Sequence, residues 1–192
     1  MYTIKEDTEN TLVIKNSKFI TVLKRCQKED DVKSILSSIR EKYPKATHYC
    51  YAYIIGLVKH SSDDHEPSNT AGLPMLNVLE KQEINNCIAV VVRYFGGIKL
   101  GAGGLVRAYK KSVTSALDNT VKVVLKQARL ITLSIPYDEQ KDLEYLLRDS
   151  KIINKEYNER VCYHVIIEEK NLPKIDRFNY QIIEDAYLEE GY

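Results

Sequence analysis

A polar loop in the first half of the chain carries a dense set of side chains that could do chemistry. Its segment SSDDHEPSNTAGLPM contains Asp63, Asp64, Glu66, Ser68 and Thr70. The three carboxylates are close enough in sequence to share a hard cation such as magnesium, which takes oxygen ligands. We favour a second interpretation, in which the loop faces solvent, its acids pair with Arg93 or Lys99 across the fold, and no metal is bound. Thr70 is also placed to cap the helix that is predicted to follow.

A glycine-rich turn in the segment RYFGGIKLGAGGLVRAY could bind an anion. Five of the eight glycines of the chain lie there, namely Gly96, Gly97, Gly101, Gly103 and Gly104. A helix start leaves N–H groups unpaired and its dipole favours negative charge, so the turn could hold a phosphate or carboxylate with Arg93, Lys99 and Arg107 as charge partners. The segment matches neither common phosphate-loop pattern. Tight packing of the helix on the sheet, with the bases facing water, is an equally open interpretation.

The histidine and cysteine positions do not assemble a catalytic motif. His48, in ATHYCYAY, precedes a predicted strand and is interpreted as a structural hydrogen-bonding residue. No serine or cysteine has an adjacent base with a clear role, so no catalytic residue is assigned and no cofactor is expected. The four cysteines are scattered without a C-x-x-C pair, which favours buried, reduced thiols and a cytoplasmic location.

Length and composition limit the function classes. The 192 residues are 44% hydrophobic and 29% charged, with a net charge of +1, so any binding of nucleic acid must come from a local patch. The first residues show no secretory signal, and no apolar run approaches the roughly 20 residues that span a bilayer. We therefore expect no membrane association.

The periodicity of apolar residues predicts an α+β protein with two domains, over residues 1–125 and 128–192. In the first domain it predicts strands at 11–15, 18–23, 47–55 and 86–94, helices at 29–43, 70–79 and 103–117, and a loop at 59–69. The strand at 86–94 contains CIAVVV, which is typical of a strand buried on both faces. The second domain is predicted to run strand, helix, strand, strand, helix, strand, the order of a ferredoxin-like split βαβ fold.

Four segments of the chain resemble the YigZ/IMPACT family. VVVRYFGGIKLGAGGLVRAY is similar to the family signature, and NSKFI, ATHYCYAYIIG and DDHEPSNTAGLPML are similar to further family segments in the same order. The chain departs from the family pattern at His65 and Asn69, where glycine is usual, and at Leu73, where arginine is usual. Leu73 removes a charge that an anion site could have used.

The resemblance implies a fold for both domains. The first is expected to resemble domain IV of elongation factor G, a fold also seen in a ribosomal protein and in small-molecule kinases. The second is expected to resemble domain V of that factor, a ferredoxin-like module. Eukaryotic IMPACT proteins control translation largely through a different module, so their role is not transferred to this chain.

Three functions remain open from the sequence. The first is a protein that binds RNA, the ribosome or a translation factor, because residues 84–117 contain five basic residues and no acid. RNA should then favour the first domain, since residues 168–192 contain seven acids and three bases. The alternative is an enzyme acting on a small phosphorylated or acidic substrate between the polar loop and the glycine turn. A protein partner is a third possibility, because tyrosine is abundant and enriched at interfaces.

Overall fold

The structure is a computed structural model that describes residues 1–190. The chain forms two compact units, Met1–Val123 and a second that begins at Val124. Residues 191 and 192, the end of the predicted second domain, lie outside the described residues. Within the described chain, no helix is both long enough and apolar enough to cross a membrane.

The first unit is built on a five-stranded antiparallel sheet. Its elements are β1 Tyr2–Ile4, β2 Thr8–Ile14, β3 Ser17–Arg25, α1 Asp30–Lys42, β4 His48–Ile55, β5 Val58–Ser62, α2 Gly72–Lys81, β6 Cys87–Tyr94 and α3 Ala102–Asp118. The strand order is β2-β3-β6-β4-β5. Strand β6 is central, and its first seven residues are all buried, because its consecutive apolar side chains meet a packed layer on each face.

Two hydrophobic layers cover the two faces of this sheet. Helices α2 and α3 pack on one face, where Met75, Leu79 and Val113 are fully buried. Helix α1 packs on the other face through Val32 and Ile39. The basic residues of α3 therefore lie on the side of the sheet opposite α1.

The prediction from sequence periodicity did not include two short strands of the first unit. Residues 59–62 were predicted as loop but belong to β5, an edge strand paired with β4 alone. Its sequence VKHSS has one apolar residue and no apolar alternation, so the period that identifies a strand is absent. Strand β1 was not predicted either, because three residues are too few to show a period.

The second unit has the predicted order of elements. They are β7 Lys122–Ile135, a 3₁₀ turn Tyr137–Glu139, α4 Gln140–Leu146, β8 Lys151–Tyr157, β9 Val161–Glu168, a 3₁₀ segment Glu169–Ile175 and β10 Tyr180–Glu189. The antiparallel order β10-β7-β9-β8 is that of a split βαβ arrangement. The predicted second helix is a 3₁₀ segment containing Pro173, which lacks the N–H group that an α-helix interior needs.

Candidate functional site

Glu66 of the polar loop lies inside the first unit, with only 3% of its side chain exposed. Its Oε1 atom accepts hydrogen bonds from Arg93 Nη1 at 2.5 Å and from the Tyr109 hydroxyl at 2.7 Å. Burial raises the pKa of Tyr109, and the nearby Cys50 and Glu66 raise it further, so the phenol stays protonated and donates. The polar loop, β6 and α3 thus meet at one carboxylate, and the loop acid that pairs with Arg93 is Glu66.

The His48 side chain forms a hydrogen bond with the backbone of the polar loop. Its Nδ1 atom lies 2.8 Å from the carbonyl oxygen of Asp64. A carbonyl can only accept, so Nδ1 carries the proton of this hydrogen bond. Its Nε2 atom lies 3.8 Å from Glu66 Oε2, which is beyond hydrogen-bond length. The arrangement gives His48 the hydrogen-bonding role that the sequence indicates.

Asp63 caps helix α2 from outside the helix. Its Oδ1 atom accepts from the backbone N–H groups of Ala71 at 2.9 Å and Gly72 at 2.8 Å, and its Oδ2 atom accepts from that of Asn69 at 2.8 Å. The prediction that Thr70 caps this helix is wrong, because its hydroxyl donates to the carbonyl of Pro67 at 2.6 Å and makes no cap hydrogen bond. The loop folds back on itself, which places the Asp63 carboxylate at the backbone N–H groups where α2 begins.

Asp64 fastens the loop to β4 and α1. Its Oδ2 atom accepts from the backbone N–H of Tyr49 at 2.6 Å, and its Oδ1 atom accepts from Arg40 at 3.0 Å. Asp63 and Asp64 therefore bind protein donors instead of projecting together into open space. Within residues 1–190, no group of three or more His, Cys, Asp or Glu side chains is arranged to hold a metal ion.

Two of the three departures from the family pattern, His65 and Asn69, fall on unusual backbone positions. His65 has φ 68° and Asn69 has φ 61°, both in the left-handed region where glycine is most easily accommodated. Asparagine tolerates this region better than most residues, and the exposed histidine side chain has room there. Ser68, the other polar residue of this loop, is also exposed.

The glycines of the turn have different structural roles. A Cβ atom at Gly96 would lie 2.0 Å from the backbone carbon of Asn16, so this position requires glycine for packing. Gly97 has φ 82° and Gly101 has φ 73°, so both need the left-handed backbone that glycine permits. Gly103 and Gly104 lie in the first turn of α3, which has no side-chain cap and no acidic residue.

The basic residues near the turn separate into two groups. Arg93 is buried and paired with Glu66, so its charge is offset inside the protein. Lys99 lies exposed on the turn. Arg107 lines a hollow of about 250 Å³ with Lys15 and Lys111. Sequence reasoning missed Lys15, because the turn between β2 and β3 reaches the start of α3 only in the folded chain.

The comparisons with known proteins give the family. The model of the Impact N-terminal domain matches residues 15–117, more than half of the chain. The chain belongs to the IMPACT family. It is 44% identical over 174 residues to the IMPACT family member YvyE of Bacillus subtilis, covering 88% of this chain and 80% of that protein. It is 39% identical over 161 residues to the IMPACT family member YigZ of Escherichia coli, covering 80% and 79%.

A solved structure supports the fold over nearly the whole length. A crystal structure described as a hypothetical protein matches with a TM-score of 0.68 and 34% identity, covering 95% of this chain and 97% of that one. Glu66 with its partners Arg93 and Tyr109, the glycine turn and the basic hollow all lie within residues 15–117, the segment that matches the family. The exception is Ile14, which lines the hollow one residue before this segment.

Proposed function

We propose that the IMPACT-family unit binds RNA, in the setting of translation, through the glycine turn and the basic side of α3. The observation that carries the proposal is the hollow beside the first turns of this helix. Lys15, Arg107 and Lys111 line it, and no acidic residue is among its lining residues. A cluster of cations without acids attracts the phosphate backbone of RNA, whatever its sequence.

The cations around the hollow are available for an external anion. Within the described residues, no salt bridge involves Lys15, Arg107 or Lys111, in contrast to Arg93, which is paired inside the unit. Lys99 and Lys110 are also exposed, and they extend the charge along the turn and the helix. On the other face of the sheet, α1 begins with Asp30 and Asp31, which would repel a phosphate.

The resemblance to elongation factor G that we expect from the family adds support by analogy. In the proposal, the first unit corresponds to domain IV of that factor and the second to domain V, which suits a protein that works near the ribosome. Because a fold alone does not carry a function, the basic hollow remains the main support.

The alternative enzyme has less support. It requires an anion site and a cation site facing each other between the polar loop and the glycine turn. Glu66 and Arg93 meet at that place and offset each other's charge, and the carboxylates of Asp63 and Asp64 hold protein donors. RNA binding through the exposed cations of the hollow leaves the Glu66–Arg93 pair and the contacts of Asp63 and Asp64 intact.

Fluorescence anisotropy with a labelled RNA oligonucleotide, measured over a series of KCl concentrations, tests the proposal. We expect the affinity to fall steeply with salt, and Arg107→Glu and Lys111→Glu each to weaken it by roughly tenfold at moderate salt. Lys33→Glu is the matched control, because Lys33 is an exposed lysine on α1, on the other face of the sheet. A salt-independent affinity, or an equal loss in the Lys33→Glu control, would refute RNA binding by this face.

A further inference from the structure

The hollow at the start of α3 has an apolar floor as well as cations. A bound phosphate would contact the cations and leave this floor uncovered. Its apolar lining consists of Ile14, Leu100 and Ala108, and its cations are Lys15, Arg107 and Lys111. We propose that the hollow seats one unpaired base of single-stranded RNA, while the cations contact the phosphates on either side. The inference rests on the proposed RNA binding and names the class of RNA.

The structure keeps this floor open. Ile14 and Leu100 pack against the core but are only partly buried, so part of each side chain faces the hollow. Gly104 lies in the first turn of α3, and a Cβ atom there would be 3.0 Å from Leu100 Cβ. Any larger side chain at position 104 would crowd Leu100 and narrow the space above the floor.

The size of the hollow and its mixture of groups favour a nucleotide. Its volume of about 250 Å³ lies below the range of roughly 300–1,000 Å³ typical of drug-sized ligands, so it suits a single ring system. A nucleotide carries a flat, largely apolar ring and a full negative charge in one residue. An amino-acid residue of a peptide offers an acid or an apolar group, so an acidic peptide matches the floor and the cations less well.

An RNA duplex cannot use the floor. Its bases are stacked and paired inside the helix, and it presents mainly phosphates and ribose hydroxyls to a protein. A base from a single strand or a loop can turn outward and cover Ile14 and Leu100, which removes apolar surface from water. The floor therefore predicts a preference that the cations alone would not produce.

Three labelled RNAs test the inference by anisotropy at one KCl concentration: a short single strand, the same strand in a duplex, and the same strand with abasic residues. We expect the intact single strand to bind most tightly. Leu100→Asn should weaken its binding by roughly fivefold, the effect of losing a small apolar contact, and should leave the abasic strand unaffected. Ile98→Asn is the matched control, since Ile98 is exposed on the same turn but does not line the hollow.

Thermal unfolding checks that Leu100→Asn is folded, and Ile14→Thr tests the same floor if it is not. Equal affinity for duplex and single strand, or an equal loss for the intact and abasic strands in the floor variants, would overturn the base seat. Displacement of the strand by a short peptide of alternating glutamate and leucine at equal concentration would overturn it too. These results differ from a failure of RNA binding itself, in which Arg107→Glu would change nothing for any of the three RNAs.

Discussion

Glu66 and Arg93 form an ion pair almost fully withdrawn from water, with 3% and 6% of their side chains exposed. The same carboxylate oxygen also accepts from Tyr109, and the Arg93 guanidinium lies 3.5 Å from the Ser17 hydroxyl. A charge buried this deeply is stable only with its partner, so each side chain depends on the other. The pair connects the polar loop to the central strand of the sheet.

Removing the carboxylate charge should strongly destabilise the first unit. Glu66→Gln leaves the buried Arg93 without a counter-charge, and we expect the free energy of unfolding to fall by about 3 kcal/mol. Urea denaturation followed by circular dichroism measures the change. The control is Glu80→Gln, which removes the exposed pair with Lys59 and should cost less than about 1 kcal/mol. Equal losses in both variants would show that burial of the Glu66 pair has no special importance.

The sequence predicted most of the first unit, because its main elements have a clear apolar period. The run CIAVVV indicated a strand buried on both faces, which β6 is, and the helix predicted over residues 103–117 is α3. The helix start at position 70 was less accurate, since α2 begins at Gly72 and its cap comes from outside. Local periodicity identifies which face is buried, but it does not show which distant side chain completes a helix end.

The contacts of the candidate site were harder to predict, because they join residues that are far apart in sequence. The pairing of a loop acid with Arg93 was foreseen from charge alone. The way the loop folds back decides which acid is the partner of Arg93. Glu66 takes that place, while Asp63 and Asp64 accept hydrogen bonds from backbone N–H groups. The proximity of Lys15 to Arg107 depends on the register of β2 against β3, which no local pattern contains.

Asp63 should matter for stability more than the exposed residues of the same loop. Asp63→Ala leaves two backbone N–H groups at the start of α2, and that of Asn69 in the loop before it, without their acceptor. We expect a loss of about 2 kcal/mol in the free energy of unfolding, at the upper end for a helix cap. The same urea titration on Ser68→Ala, an exposed neighbour, should show no change. If Asp63→Ala unfolds at the wild-type midpoint, the cap does not stabilise α2.

Two glycines of the turn should respond to alanine in opposite ways. Gly96→Ala places a Cβ atom 2.0 Å from the backbone of Asn16, where neither chain segment can move aside easily. We expect a loss of about 3 kcal/mol or failure to fold. Gly103→Ala lies in the first turn of α3, where the nearest heavy atom is the flexible end of Arg107 at 3.5 Å. It should be neutral or stabilising by up to about 1 kcal/mol, since alanine favours helix.

Melting temperatures of the two glycine variants decide this prediction. A similar melting temperature for Gly96→Ala and wild type would mean that Gly96 does not pack as closely against the backbone of Asn16 as described. A large loss in Gly103→Ala would mean that this position needs glycine for a reason other than space.

The second unit should become less stable in acid through Glu144. Its Oε1 atom accepts from Lys155 at 2.6 Å, Gln140 at 3.0 Å and Tyr163 at 2.8 Å. The hydrogen bond from Lys155, followed by those from Gln140 and Tyr163, lowers the pKa of Glu144 from 4.5 to about 2. Because the folded pKa lies below the unfolded one, the carboxylate stabilises the fold above about pH 4.5, and this contribution is lost as the pH falls toward 2.

The pH dependence of unfolding, followed by urea denaturation between about pH 6 and pH 2, tests the role of Glu144. In Glu144→Gln the side chain cannot titrate, so the free energy of unfolding of the second unit should fall less steeply below pH 4.5 than in wild type. Glu159→Gln is the control, because Glu159 lies exposed in the turn between β8 and β9 and makes no salt bridge within residues 1–190. It should keep the wild-type slope. Parallel curves for wild type and Glu144→Gln would mean that the bonds from Lys155, Gln140 and Tyr163 hold the neutral acid as well as they hold the carboxylate.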